Sequence, residues 1–335
     1  MLGLSNLSTT VKGERVFANL TLDVPAGRPT AIVGLSRTGR DAAARLLTGA
    51  DKPQGGTIKL GGEDIARARR EKGRILRVGP TVPSPSSQRV GKLISAEIAS
   101  RAGLSAHLDA KISDLGPDQR MRLAIAQAIA ARPALLILDA PASELPANLY
   151  DDFAEHLGEL VTGASLVVVL LASAAHEALG LRQDIIVIDG GALLQSGLAT
   201  DVSAHPVNLL SAVATSWPTL NTLPMTAREG RCMLSDGSRL QLPDGMPTPQ
   251  DGACTLAFHP EDATLERASP GCVRFVVRAG AEEVRGEYRF LNVTFANKQW
   301  MCPLDKSAPH AGTLLNAFVD RSHLLVFDAV GRAIG

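Results

Sequence analysis

The segment Gly34-Leu35-Ser36-Arg37-Thr38-Gly39-Arg40-Asp41 follows the apolar run Thr30-Ala31-Ile32-Val33 and precedes Ala-rich sequence. It has the frame of a phosphate-binding loop, GxxxxGK[ST], with Arg-Asp in place of Lys-Ser/Thr. In such a loop backbone N–H groups at a helix N-terminus wrap phosphate oxygens, and the Lys and hydroxyl hold phosphate and Mg²⁺. Arg40 keeps a positive charge on a bulkier, forked head. Asp41 removes the hydroxyl and sets a carboxylate beside a polyanion. Two unit charges about 4 Å apart repel by about 4 kcal/mol at an effective dielectric near 20. A coordinated Mg²⁺ reverses that sign, which makes Asp41 a candidate metal ligand. Taken alone, the segment reads equally well as an ordinary strand–turn–helix with a Gly-rich corner.

A second region settles the reading. Leu115-Gly116-Pro117-Asp118-Gln119-Arg120-Met121-Arg122-Leu123-Ala124-Ile125-Ala126 leads into Leu135-Leu136-Ile137-Leu138-Asp139-Ala140-Pro141, with 20 residues from Gln119 to Asp139. Here the chain resembles the ATP-binding cassette (ABC) family, whose signature LSGGQ precedes a strand ending in Asp-Glu-Pro. The resemblance implies nucleotide contacts from Gly34 to Asp41, from Arg77 at the family's Q-loop Gln, from Asp139, and from the signature Leu115, Gly116, Pro117, Asp118 and Gln119, with Mg²⁺ held at Asp41 and Asp139. It also implies that no catalytic residue is intact. Ala140 stands at the catalytic Glu, and Ser173, 33 residues later, stands at the switch His. Ser143-Glu144-Leu145-Pro146 takes the place of the D-loop, and Val11 that of the adenine-stacking aromatic; Phe17 reads as core.

These replacements share a direction. A general acid or base contributes roughly 10²–10⁴-fold, and Ala140 supplies none. Ser173 can donate a hydrogen bond but lacks an imidazole's range. His176 lies almost a helical turn further on and reads as a solvated helix-face residue. In the signature a hydroxyl is lost at Gly116, an N–H at Pro117, and Asp118 adds a negative charge where a partner's γ-phosphate is expected. Pro at a first helical position and an acid in the first turn also favour a helix start.

The elements that must position these groups follow from periodicity. Strands are expected at Thr30–Val33, Ala134–Leu138, Leu166–Leu171 and Ile185–Ile188, with helices at Arg40–Leu47, Gln119–Ala131, Leu149–Leu160 and Ala174–Leu179. This is an α/β alternation, in family terms a P-loop NTPase fold. Thr215–Pro224 has the composition of a linker or domain crossing. Beyond it, Thr255–Phe258, Val273–Val277, Tyr288–Val293 and Leu324–Phe327 read as strands of a small all-β, barrel-like domain, with Pro243–Gly252 as a loop. The expected division is 1–214 and 215–335. Arg67, Arg69, Arg70, Lys72, Arg74 and Arg77 form a basic run whose default is a solvated surface. Leu115 follows Arg77 by only 38 positions, which implies a trimmed coupling subdomain.

Composition limits the alternatives. Among 335 residues, 34 Lys+Arg balance 34 Asp+Glu, which argues against a nucleic-acid-coating or polybasic membrane-surface protein. No run approaches the roughly 18 apolar residues of a membrane span, and no signal peptide is read at the N-terminus. Cys232, Cys254, Cys272 and Cys302 have neither zinc nor disulfide-framework spacing. Phe17 is the only aromatic residue before Tyr150, so an aromatic platform for a base is missing from the first 149 residues.

The C-terminal half narrows the resemblance. Gly190–Gly197, His205–Asn208, Leu256–Asp262 and His323–Phe327 are similar to maltose-type carbohydrate importers, which carry an OB-like regulatory domain after the ATPase domain. Pro206–Leu209, Leu220–Leu223 and Arg321–Ile334 are similar to glycerol-type importers, which use two different ATPase subunits. The resemblance implies a degenerate nucleotide-binding subunit for polyol or carbohydrate import, with ATP and Mg²⁺ as cofactors. Its implied partners are a competent second ATPase subunit, two membrane permease subunits and, indirectly, a solute-binding protein, on the cytoplasmic face of a bacterial inner membrane. The rival readings are a self-sufficient ATPase using Arg40 and Asp41, and a regulatory scaffold without turnover.

Overall fold

Apolar residues at the N-terminus, among them the buried Leu2, Leu4, Leu7, Val16, Phe17 and Leu20, build an antiparallel hairpin. Strands β1 (Leu2–Val11) and β2 (Glu14–Val24) pair through Lys12 and Gly13, both at positive φ, as a two-residue hairpin turn requires. The computed structural model describes residues 1–335 apart from 146–148, 162–164, 174–176, 179–183, 243–245, 247–248, 267–270, 286–287, 306 and 335. It divides into two compact units, Met1–Thr200 and Asp201–Gly335.

In the first unit β1 and β2 join β4 (Gly55–Leu60) and β5 (Glu63–Asp64) in the order β2-β1-β4-β5, with β3 (Thr30–Val33) and helix α1 (Arg37–Leu47) between β2 and β4 in sequence. There follow α2 (Ile65–Ala68), β6 (Ile75–Val78), α3 (Ala96–Arg101), α4 (Pro117–Ala130), β7 (Leu135–Asp139), α5 (Tyr150–Val161), β8 (Val167–Leu171), β9 (Asp184–Asp189) and β10 (Ala192–Leu198). The second sheet has the order β10-β9-β3-β8-β7-β6. Its five strands β9, β3, β8, β7 and β6 are parallel, and β10 adds an antiparallel edge. Every residue of β3, β7 and β8 is buried, as expected for parallel strands covered on both faces. Phe17 is fully buried in the core shared by β1, β2, α1 and the parallel sheet, as its apolar setting predicts.

The second unit holds α6 (Leu209–Ala214), β11 (Asn221–Arg228), β12 (Arg231–Leu234), β13 (Arg239–Leu240), β14 (Gly252–Phe258), β15 (Ala263–Thr264), β16 (Cys272–Arg285), β17 (Tyr288–Phe295), β18 (Lys298–Pro303), β19 (Leu314–Asp320) and β20 (Leu325–Phe327). They form two antiparallel sheets, β13-β12-β11-β14-β20 and β15-β19-β16-β17-β18. Trp300 sits at the centre of their common core, with ring centroids 5.0 Å from Phe258, 5.2 Å from Phe275 and 4.9 Å from Phe295. Its indole N–H donates to the Thr222 carbonyl at 3.0 Å.

Two expectations are revised. The first unit ends at Thr200, not at residue 214, because α6 belongs to the second: Ala212 packs with Leu220, Ala257 and Phe327, and the Leu209 N–H donates to Gly331 O at 2.8 Å. Thr215–Pro224 is structure, not linker. Thr215 and Ser216 are buried, and buried Asn221 exchanges hydrogen bonds with the Met301 backbone at 2.8 and 2.9 Å. The expected helix Ala174–Leu179 lies largely outside the described residues, as does His176; only Glu177 and Ala178 of it are described, and they are helical.

Candidate nucleotide site

Gly34 ends β3 at φ +93, where a Cβ would stand 1.9 Å from the Ile188 carbonyl oxygen, so the sharp turn into the loop requires glycine. From there the chain departs from expectation. Helix α1 begins at Arg37, three residues earlier than its predicted start at Arg40, and takes half of the phosphate-loop frame into its first turn. Ser36 is the reason. As N-cap it accepts the Gly39 N–H at 3.0 Å through its side chain and the Arg40 N–H at 2.8 Å through its carbonyl. Two amides that would wrap phosphate are thereby spent within the loop. The Ser36 hydroxyl itself donates to Glu14 Oε2 at 2.7 Å, and Arg40 turns back to the Leu35 carbonyl at 3.3 Å.

Beside this loop lies a charge cluster. Arg77 leaves the middle of β6, paired in parallel register with Ile137 of β7, and Asp139 ends β7. The Arg77 guanidinium donates to Asp139 Oδ2, with Nε at 3.2 Å and a closer contact from Nη2, and also to Asp41 Oδ1 at 3.1 Å. Burial works against the Arg77 charge, yet hydrogen bonds and Coulomb attraction from Asp139 and then Asp41 raise its pKa overall. The Asp139 side chain is 6% exposed and that of Asp41 62%. Lys12, Arg37, Arg40, Asp41, Arg77 and Asp139 all line one cleft of about 650 Å³, with Val11 at its wall.

Three other members of the basic run are engaged locally. Arg67 meets Glu63 at 2.9 Å, Arg74 meets Glu63 at 2.7 Å and Glu71 at 2.6 Å, and Arg69 donates to the Gly49 carbonyl at 3.2 Å.

Ala140 follows Asp139 with φ +44, held by its N–H to Leu171 O at 2.9 Å. A methyl side chain there neither orients nor deprotonates water. The carboxylate nearest to a role in this turn is Glu177, four residues after Ser173, to which the sequence reading assigns no task. It is buried, and it accepts from the Ala142 N–H at 3.0 Å and from both the backbone N–H and, at 2.9 Å, the hydroxyl of Ser173. Burial pushes the Glu177 carboxyl above its ordinary range, against the lowering effect of those donors and of Arg40. Ser173 is thus committed to Glu177, and Ser143 and Glu144 lie at the cleft wall.

The signature segment is folded inward. Leu115 is buried, Gly116 caps α4, and Gln119 Oε1 accepts the Gly116 N–H at 2.9 Å. Pro117 occupies the first turn. Asp118 does not present its charge outward as expected: it is buried and pairs with Arg122 Nη2 at 2.7 Å, one helical turn on. Arg122, 4% exposed, reaches Asp152 at 3.1 Å and the Ala102 carbonyl at 3.1 Å as well. Its role was hidden in the sequence because its partners come from three separate elements. Arg120 joins the Leu115 carbonyl to that of Pro83, tying the signature to the segment after Arg77.

A parallel sheet carrying this loop, the strand-end aspartate and a capped signature helix defines an ATP-binding cassette. Residues 17–143 match the ABC transporter family, and the chain carries an ABC transporter ATPase domain. Among its relatives, an sn-glycerol-3-phosphate import ATP-binding protein of Paracoccus denitrificans is 26% identical across 99% of this chain and 98% of that protein. A sulfate/thiosulfate import ATP-binding protein of Chromobacterium violaceum is 28% identical over 73% of this chain and 70% of its own length. An Fe(3+) ions import ATP-binding protein of Rhodococcus jostii is 28% identical over 67% and 70%. The fold is shared with the crystal structure of a nucleotide-free ATP-binding cassette from an ABC transporter, at TM-score 0.50 and 18% identity, over 62% of this chain and 96% of that one.

ABC ATPase domains bind ATP with Mg²⁺. In P-loop enzymes the metal is held by the loop's Ser/Thr hydroxyl and the strand-end Asp. Here the hydroxyl is replaced by Asp41, and the guanidinium of Arg77 lies on both carboxylates. Among the described residues no group of three or more His, Cys, Asp or Glu side chains could hold a metal ion. The residues present do not fit a divalent cation.

Proposed function

We propose that this chain is the non-catalytic ATP-binding subunit of a bacterial ABC importer, working with a competent second ATPase subunit beneath two membrane permease subunits. A solute-binding protein delivers the cargo to those permeases. The observation that carries the loss of hydrolysis is the joint state of the turn after β7: Asp139 is bound to Arg77, and the next residue is Ala140. Water is left without a base, and the loop amides of Gly39 and Arg40 are engaged by Ser36. ATP binding by this chain is accordingly weak. The second unit, Asp201–Gly335, serves as the OB-like regulatory domain.

The glycerol-3-phosphate import relative aligns over nearly the full length of both chains, whereas the sulfate and Fe(3+) relatives align over about two thirds to three quarters. That favours a polyol-type cargo. No helix among the described residues is long and apolar enough to cross a membrane.

The test is co-expression with the second ATPase and the permeases. The purified chain turns over no ATP. Removing the second subunit's catalytic Glu abolishes transport, whereas the state of residue 140 in this chain matters little. Turnover by the purified chain that D139A abolishes replaces this reading with the self-sufficient ATPase. A chain that never co-purifies with permeases replaces it with the regulatory scaffold.

A further inference from the structure

We infer that the guanidinium of Arg77 is a built-in substitute for the divalent cation of the cassette, so that this chain's nucleotide site excludes Mg²⁺ whether or not a nucleotide is present. The inference deepens the non-catalytic reading and rests on it only for the cassette frame. It does not depend on cargo or on pairing with a second ATPase.

Two replacements and one retained residue act together. The hydroxyl that ligates the metal has become Asp41, the Q-loop amide has become Arg77, and Asp139 is retained. A cassette that had merely decayed would leave Asp41 and Asp139 as two carboxylates facing one cleft, a pair that invites a divalent ion. Instead a single cation with several donors spans them, with Nη2 donating to Asp41 at 3.1 Å and both Nε and Nη2 donating to Asp139. The planar fork matches carboxylate geometry, and it carries its charge at every accessible pH. Asp139 is almost wholly buried, so it needs a counter-charge even when the cleft holds no ligand. Arg77 supplies that charge from the neighbouring strand, where the β6–β7 register fixes its origin two residues before the level of Asp139. A divalent ion entering between the same carboxylates meets a fixed positive charge at contact distance and finds both anions already engaged.

The experiment is Mn²⁺ titration of the full-length purified chain by electron paramagnetic resonance, which reads metal binding directly and needs no turnover. Wild type is expected to show no site that D139N removes. R77Q, which restores an amide of similar reach, is expected to gain a Mn²⁺ site at least tenfold tighter than anything in wild type, abolished by D139N and weakened by D41N. If R77Q does not fold, R77M is read in the same way. A wild-type Mn²⁺ site lost in D139N overturns the inference, and so does a folded R77Q or R77M chain without a new site. Failure of the importer reading leaves these titrations unchanged, whereas failure of the metal substitution leaves the transport result unchanged.

Discussion

Ser36 donates its hydroxyl proton to Glu14 at 2.7 Å while accepting the Gly39 N–H at 3.0 Å, so a carboxylate of the β1–β2 hairpin stands over the phosphate loop. A Cβ on Gly39 would lie 3.0 Å from Glu14 Oε1, which places that negative charge directly against the loop backbone. Removing it lowers the repulsion felt by an incoming phosphate. E14Q is expected to raise affinity for inorganic pyrophosphate or ATP about five- to tenfold at low salt, on the order of 1 kcal/mol, with the gain shrinking as ionic strength rises. Titration calorimetry at two salt concentrations checks both. S36A removes the cap and is expected to cost about 1 kcal/mol of stability by urea unfolding.

Glu177 gives a pH dependence with a definite sign. Burial holds its folded-state pKa above the ordinary value, so the folded chain binds this proton more tightly than the unfolded chain does. Its contribution to stability is therefore greatest below the ordinary carboxylate range and declines as pH rises through the folded pKa. E177Q turns an amide N–H₂ toward donors at Ala142 or Ser173 and leaves at least one unsatisfied, at about 1–3 kcal/mol. Urea unfolding from pH 4 upward should show the gap between wild type and E177Q narrowing as pH increases. A widening gap contradicts the assignment.

Arg122 is the ionic centre of the signature helix. Buried with Asp118 at 2.7 Å, it also holds the Ala102 carbonyl and Asp152. R122M strands the Asp118 charge and is expected to destabilise the chain by about 3–5 kcal/mol. The double variant D118N/R122M should recover part of that loss, because the uncompensated charge is gone. A double variant as unstable as the sum of the two singles would show that the pair is not coupled.

The thiols of the second unit differ in reach. Burial, with a contribution from Cys232, pushes Cys254 up to about 11, and burial alone pushes Cys302 up to about 12. Cys232 is also raised by burial, whereas Cys272 is partly exposed at the start of β16. Thiolate is the reactive form, so iodoacetamide at pH 8 should label Cys272 alone in the folded chain and all four cysteines after guanidinium unfolding. Peptide mass spectrometry reads the difference.

Elements with a regular period were legible in the sequence. Thr30–Val33 coincides with β3, and β7, β8 and β9 lie within a residue of expectation, because strands buried on both faces are continuous apolar runs. The N-terminal sheet escaped. Asn6 and Asn19 adopt positive φ and the β1–β2 register shifts at three points, which breaks the alternation that would have marked the strands. Thr215–Pro224 resembles a linker only in composition, since Asn221 finds its backbone partner 80 residues away.

The sequence by itself determined the cassette frame and which residues, Arg40, Asp41, Arg77, Ala140 and Ser173, stand at its positions, because each is a residue type at a fixed covalent spacing. Tertiary structure alone decided what these side chains meet. Arg77 meets Asp41 across 36 residues and Asp139 across 62, and Glu14 meets Ser36 across 22. Charges act through the distance between atoms, which chain order does not record. Only folding could show a cation already seated between two carboxylates and an anion already seated on the loop.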